Sequence, residues 1–157
     1  MRQWLAALAL TALACGGGAK PAQQAQTPAT PGGGQPAAQA AASATGTVHE
    51  VKMEVNNQGD LYDPSPLTIK VGDTVKWINW SGGPHNVSFY PDSIPAGAAD
   101  ELNADMPNKM APLNGPLISD SLGVYQVTFA NVPPGTYKYY CIPHQAMGMK
   151  GTLVIEK

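Results

Sequence analysis

The sequence predicts an all-β domain, a sandwich or barrel of short strands, over residues 46–157. Three observations carry this expectation. Runs rich in Val, Ile, Thr and aromatic residues recur at short intervals. Turn chemistry separates many of them, as in Val71-Gly72-Asp73, Ser81-Gly82-Gly83-Pro84 and Pro133-Pro134-Gly135. Near the C-terminus, Tyr137, Tyr139 and Cys141 fall on one side of an alternating pattern, with Thr136, Lys138 and Tyr140 on the other.

In chain order the strand-like runs are Thr47 to Val55, Leu67 to Val71, Thr74 to Trp80, Val87 to Tyr90, Val124 to Ala130, Thr136 to Cys141 and Thr152 to Glu156. Short strands with turns between them suit a sandwich or barrel. Pro91 to Pro116 breaks the rhythm with its prolines and glycines. It reads as a long, partly ordered excursion between sheets, with one short helix near Ala98 to Asn103. Met106 and Met110 are expected to pack within this excursion, and His49 to be a solvated residue on the first strand.

Upstream of the domain the composition changes twice. Residues 1–15 read as an export signal: Arg2 gives a positive start, and Trp4 to Ala14 is apolar apart from Thr11. That run is too short for a membrane span. It ends in Thr11-Ala12-Leu13-Ala14-Cys15, which resembles the lipobox of bacterial lipoproteins, in which the cysteine is lipidated and becomes the N-terminus. Leu13 sits one place later than that pattern prefers, and an ordinary cleaved signal with an incidental cysteine is the alternative. A disulfide between Cys15 and Cys141 satisfies the arithmetic, but the N-terminal context argues against it. Residues 16–45 are Gly, Ala, Pro, Gln, Ser and Thr with almost no large apolar side chain. Such a segment cannot bury enough surface to offset its chain entropy, so it is expected to be a disordered linker. As a flexible coil it spans on the order of 30 Å. The mature protein is therefore expected outside the cytoplasm, in a bacterial periplasm or at a cell surface, held to the membrane through Cys15. With a formal net charge of -2, no basic patch recommends nucleic acid, and none is expected as a partner.

The chemical signal is Cys141-Ile142-Pro143-His144-Gln145-Ala146-Met147-Gly148-Met149, directly after a strand. A thiolate, an imidazole and a thioether share one loop, and a second imidazole, His85, follows the Gly82-Gly83-Pro84 turn. Taken singly, each has a bland reading: a buried small apolar cysteine, a solvated loop histidine, a core-filling methionine. Together they form a His₂Cys set with a thioether, the geometry of a type 1 (blue) copper site. Thiolate and thioether favour Cu(I), and imidazole suits both oxidation states. A compromise geometry then lets the metal change charge with little rearrangement.

From Val51 to the C-terminus the domain resembles the plastocyanin-like members of the cupredoxin family. The residues that carry the resemblance are Val51-Lys52-Met53 and Pro66 to Val75, then Pro84-His85-Asn86-Val87, Asp92 to Gly97, and Gly135 to Gln145. The resemblance implies an eight-stranded Greek-key β-sandwich with one copper near one end, held by His85, Cys141, His144 and Met149. Met147 would match the shorter loop of amicyanin-like members. Met149 matches the plastocyanin-like spacing, and Gly148-Met149-Lys150-Gly151 leads into the last strand as the family's Gly-Met-x-Gly does. Two neighbours gain roles by the same resemblance. Asn86 ties the two ligand loops together and donates a backbone N–H to the sulfur, and the Pro84 carbonyl approaches the metal opposite Met149. Acidic surface clusters of the plant members are not obvious here, and the Leu102 to Pro116 region is longer and richer in proline.

These features point to a single-electron carrier rather than an enzyme. Multicopper oxidases flank their cysteine with histidines, whereas here the flanks are Tyr140 and Ile142, and His49, His85 and His144 are the full histidine set. The dinuclear centre of cytochrome oxidase needs two bridging cysteines, and the domain has one. Cys141-x-x-His144 is too tight for a papain-like pair. An extracytoplasmic copper carrier or storage protein is the alternative function. The expected partners are redox proteins, such as a c-type cytochrome or a membrane electron-transfer complex, met by a monomer. Electrons should pass through the His144 edge, inside an apolar patch of Pro143, Ala146, Met147 and Pro84. Tyr140, at a position where the family carries a tyrosine, offers a second exit.

Overall fold

The computed structural model describes residues 46–157; the export segment with Cys15 and the linker lie outside the described residues. Among the described residues eight strands form two four-stranded sheets. They are β1 (Val48–Asn56), β2 (Gly59–Asp63), β3 (Leu67–Lys70), β4 (Thr74–Asn79), β5 (Ser88–Phe89), β6 (Val124–Thr128), β7 (Gly135–Tyr140) and β8 (Lys150–Glu156). One sheet runs β2-β1-β4-β6 and the other β3-β8-β7-β5. β1 and β4 pair in parallel, as do β3 and β8, and the remaining pairs are antiparallel. The two sheets pack as the expected all-β sandwich.

Alternation decides which side chains enter the core. On β7 Tyr137 and Tyr139 are buried while Thr136 and Lys138 are exposed; on β8 Gly151, Leu153 and Ile155 face inward. Aromatic rings join the sheets. Tyr139 of β7 meets Trp77 of β4 edge-on at 5.7 Å between centroids, and Tyr62 of β2 at 4.6 Å. Edge-to-face contacts of this kind add to the area buried. Gly151 is required where it stands, because a Cβ there would run into the Tyr139 ring across the β7–β8 pair. The turn after β4, the entry to β5 and the β7–β8 loop meet at one pole. The start of β1 lies at the other.

Four features differ from the sequence reading. β2 is absent from the predicted runs: it is a short edge strand with only Tyr62 buried, closed onto β1 by a tight hairpin that pairs Asn56 with Gly59. The excursion is more ordered than expected. α1 (Ala98–Asp105) buries Ala98 and Leu102, and the following segment hydrogen-bonds back along residues 85–89: Gly115 N–H to the Val87 carbonyl, Phe89 N–H to the Leu113 carbonyl, and Ile118 with His85 in both directions. Met106 packs in this excursion as expected, but Met110 is 51% exposed, since it lies on the outer turn closed by its bond to Asn114. His49 is not simply solvated either. The parallel β1–β4 register carries it to Asp73, whose carboxylate accepts from His49 Nε2 at 2.9 Å and from the Thr47 and Lys70 N–H groups. Burial works against the Asp73 carboxylate, but these three donors hold its pKa below the usual value.

Candidate metal centre

Cys141 and Met149 mark the two ends of one tight loop. Cys141 follows the last residue of β7, Met149 precedes the first residue of β8, and the Cys141 N–H donates to the Met149 carbonyl at 3.2 Å. Inside the loop a single 3-10 turn spans Gln145–Met147, and the N–H groups of Met147 and Met149 both donate to the His144 carbonyl. Gly148 takes a left-handed conformation with φ 92°, which lets the chain leave that turn and enter the strand. His85 arrives from the other sheet on the segment between β4 and β5, and its backbone is clamped to Ile118 in both directions.

Three donor atoms converge. The Nδ1 atoms of His85 and His144 are 3.0 Å apart, and Cys141 Sγ lies 3.7 Å from the first and 3.5 Å from the second. Nitrogen and sulfur atoms bound to one ion at ~2.0–2.3 Å stand roughly 3–4 Å from one another. The triangle thus has the edges that a single metal ion requires. Cys141, His85 and Met149 are fully buried, and His144 is half-buried. Two imidazoles, one thiolate and one buried thioether are a donor set that fits one type 1 copper.

Hydrogen bonds decide which nitrogen is offered. His85 Nε2 lies 2.8 Å from the Ser81 carbonyl, so Nε2 carries the proton and Nδ1 presents its lone pair to the triangle. Burial pushes the His85 pKa down, partly countered by the Ser81 bond, and the neighbouring His144 lowers it further. Burial pushes the Cys141 thiol up, opposed by backbone N–H bonds from Asn86 and His144. With a cation held at the triangle the thiol would lose its proton, and the Asn86 and His144 N–H groups aimed at sulfur would stabilise the thiolate.

Asn86 connects the two ligand-bearing segments. Its Oδ1 accepts from the Ile142 N–H at 2.7 Å and its Nδ2 donates to Ser88 Oγ at 2.9 Å, while Tyr62 Oη donates to the Asn86 carbonyl at 2.6 Å. Asn86 is wholly buried, so each of these bonds is protected from water. Around the His144 edge Pro84, Pro143, Ala146 and Met147 are all exposed, Met147 by 60%. Ile142, next to Pro143 in the chain and 44% exposed, is a further apolar side chain here that the predicted patch does not include. Tyr140 is half-buried and stacks on Tyr90 with centroids 4.3 Å apart, and Gln145 Nε2 donates to Tyr90 Oη at 3.1 Å. Tyr90 and Asp60 also escaped the sequence reading. Asp60 Oδ1 stands 3.9 Å from His144 Nδ1. Neither has a motif to signal it; only strand pairing brings them to this pole.

A family profile described as copper binding proteins, plastocyanin/azurin family, matches residues 49–156. Plastocyanin of Scenedesmus fuscus is 40% identical over 106 residues, which is 68% of this chain and 97% of that protein. Plastocyanin of Synechococcus sp. is 39% identical over 112 residues, 71% of this chain and 76% of that protein. Among solved structures, the oxidised form of plastocyanin from the fern Dryopteris crassirhizoma is similar, with a TM-score of 0.53 and 28% identity, covering 69% of this chain and all of that one.

Proposed function

The chain belongs to the plastocyanin/azurin family of copper-binding proteins, and from that premise we propose that it carries single electrons between redox proteins outside the cytoplasm. The observation that carries this reading is the triangle of His85 Nδ1, His144 Nδ1 and Cys141 Sγ, whose atoms lie 3.0–3.7 Å from one another. Copper bound there supplies a one-electron cycle between Cu(I) and Cu(II). The protein holds the donors still: Asn86 fixes the loop at Ile142, Ser81 fixes the His85 tautomer, and the Cys141–Met149 backbone bond closes the loop base. Donors that do not move between oxidation states are what fast transfer needs.

Met149 would supply the thioether to the copper in this reading. It is fully buried at the end of the loop, whereas Met147 is mostly exposed on the rim. The half-buried His144 edge, ringed by Pro84, Pro143, Ala146 and Met147, is the point of electron entry and exit, and Tyr140 a secondary one. The partner is a c-type cytochrome or a membrane electron-transfer complex, reached from a periplasmic or cell-surface position. Cys15 anchors the chain through lipid; mass spectrometry should find a lipid-modified Cys15 at the mature N-terminus, and an unmodified terminus downstream of it would refute the anchor.

A copper carrier or storage protein is the competing function, and voltammetry with a Cu(I) chelator present separates the two. An electron carrier gives a reversible one-electron wave and keeps its copper. A carrier of copper surrenders the metal and need not give such a wave. In the same experiment Met149→Leu should keep the wave and move it to higher potential, because a thioether that weakly favours Cu(II) is lost. Met147→Leu should leave it in place. The reverse pattern would assign the thioether donor to Met147.

A further inference from the structure

We propose that Asp60 tunes the reduction potential of this centre by fixing a carboxylate against the His144 imidazole. The inference rests on the copper-centre reading above and adds to it a residue that the ligand motifs do not contain.

Three observations place the charge. First, strand parity: Asp60 and Tyr62 are two apart on β2 and so share a face, and Tyr62 is buried with its hydroxyl bonded to the Asn86 carbonyl. Asp60 therefore points toward the sheet interior at its rim, and its side chain is only 12% exposed. Second, its position is held. Asp60 pairs with Val55 across the hairpin, and the Val55 N–H donates to Ser81 Oγ at 3.1 Å. Ser81 is the residue whose carbonyl holds the His85 ring. Third, Asp60 Oδ1 reaches to 3.9 Å from His144 Nδ1, and among the described residues no lysine or arginine pairs with it.

The electrostatic consequence has a definite sign. With one thiolate and neutral imidazoles, the Cu(I) centre is net neutral and the Cu(II) centre carries one positive charge. A carboxylate nearby stabilises the charged, oxidised form and hardly touches the other. At separations of several ångströms and an effective dielectric of about 20–40, that preference is roughly tenfold in the redox equilibrium constant, or ~59 mV for one electron.

The test compares Asp60→Asn, Asp60→Glu and Asp63→Asn in the copper-loaded protein at fixed pH and ionic strength. Asp63 lies on the same strand but is exposed, so its replacement removes the same charge from a solvated place. Asp60→Asn should stay blue, raise the potential by about the stated shift, and weaken Cu(II) binding about tenfold while leaving Cu(I) binding nearly unchanged. Asp60→Glu should remain close to the parent, and Asp63→Asn should move the potential far less. An unchanged potential in Asp60→Asn, or equal shifts in Asp60→Asn and Asp63→Asn, would overturn the proposal. Loss of Cu(I) and Cu(II) affinity in equal measure would also overturn it, since the residue would then be structural. A parent protein that is not blue at all would count instead against the copper-centre reading.

Discussion

Cys141→Ser is expected to abolish the intense blue colour of the copper-loaded, oxidised protein and to weaken copper binding by orders of magnitude. The colour of such a centre comes from charge transfer across a short Cu(II)–thiolate bond. A serine hydroxyl is hard, weakly donating, and far harder to deprotonate than a thiol, so it can supply neither the electron density nor the negative charge. The surroundings make the loss worse. Cys141 is fully buried, and the Asn86 and His144 N–H groups that stabilise its sulfur are fixed by the backbone. These donors suit an anion. A neutral hydroxyl at the same place leaves them poorly matched, and two imidazoles with a thioether are a much weaker site. The fold itself should survive, because the substitution is nearly isosteric and the Tyr137, Tyr139 and Leu153 core below it is untouched. Absorption spectra of parent and variant at equal copper loading, with circular dichroism to confirm the fold, make the measurement. A Cys141→Ser protein that stays blue would show that the thiolate has been misassigned.

How much of this was legible in the sequence depends on whether the information is local. β7 was legible because alternation writes its buried face directly as Tyr137, Tyr139 and Cys141. The loop donors were legible because three of the four lie within one short segment, where softness and spacing can be weighed together. β2 was not, since a five-residue edge strand that buries one side chain leaves almost no periodic signal. The excursion looked loose because its order comes from backbone bonds to residues 85–89, which composition does not record. His49, Asp60 and Tyr90 share a different reason. Each acquires its partner, Asp73, His144 and Tyr140 respectively, through strand register or loop return. A sequence read along the chain has no term for contacts across it.

The same distinction shapes the expectation for partner docking: Ala146→Glu should slow electron transfer with the native partner at least tenfold while leaving the blue spectrum intact. Ala146 sits exposed in the 3-10 turn beside the half-buried His144, with Pro143, Met147 and Pro84 exposed around the same edge. An apolar rim permits close approach without desolvating a charge, and release is correspondingly quick. A new carboxylate at its centre must either be stripped of water on docking or hold the partner away, and electron transfer falls steeply with distance. Glutamate is chosen over a basic residue because Asp60 already lies at this pole and could neutralise a cation. Tyr140 offers the contrasting site. Its ring is stacked on Tyr90 at 4.3 Å, and Gln145 ties that pair to the ligand loop, so removing its hydroxyl changes little of the covered surface. Tyr140→Phe should therefore slow the reaction much less. With few charges on the His144 rim, the rate should also depend only weakly on added salt. Stopped-flow kinetics of both variants against the native partner, over a range of ionic strength, decide the matter. An effect at Tyr140 equal to that at Ala146, or a steep fall in rate with salt, would move the docking surface to the flank carrying Tyr90 and Tyr140.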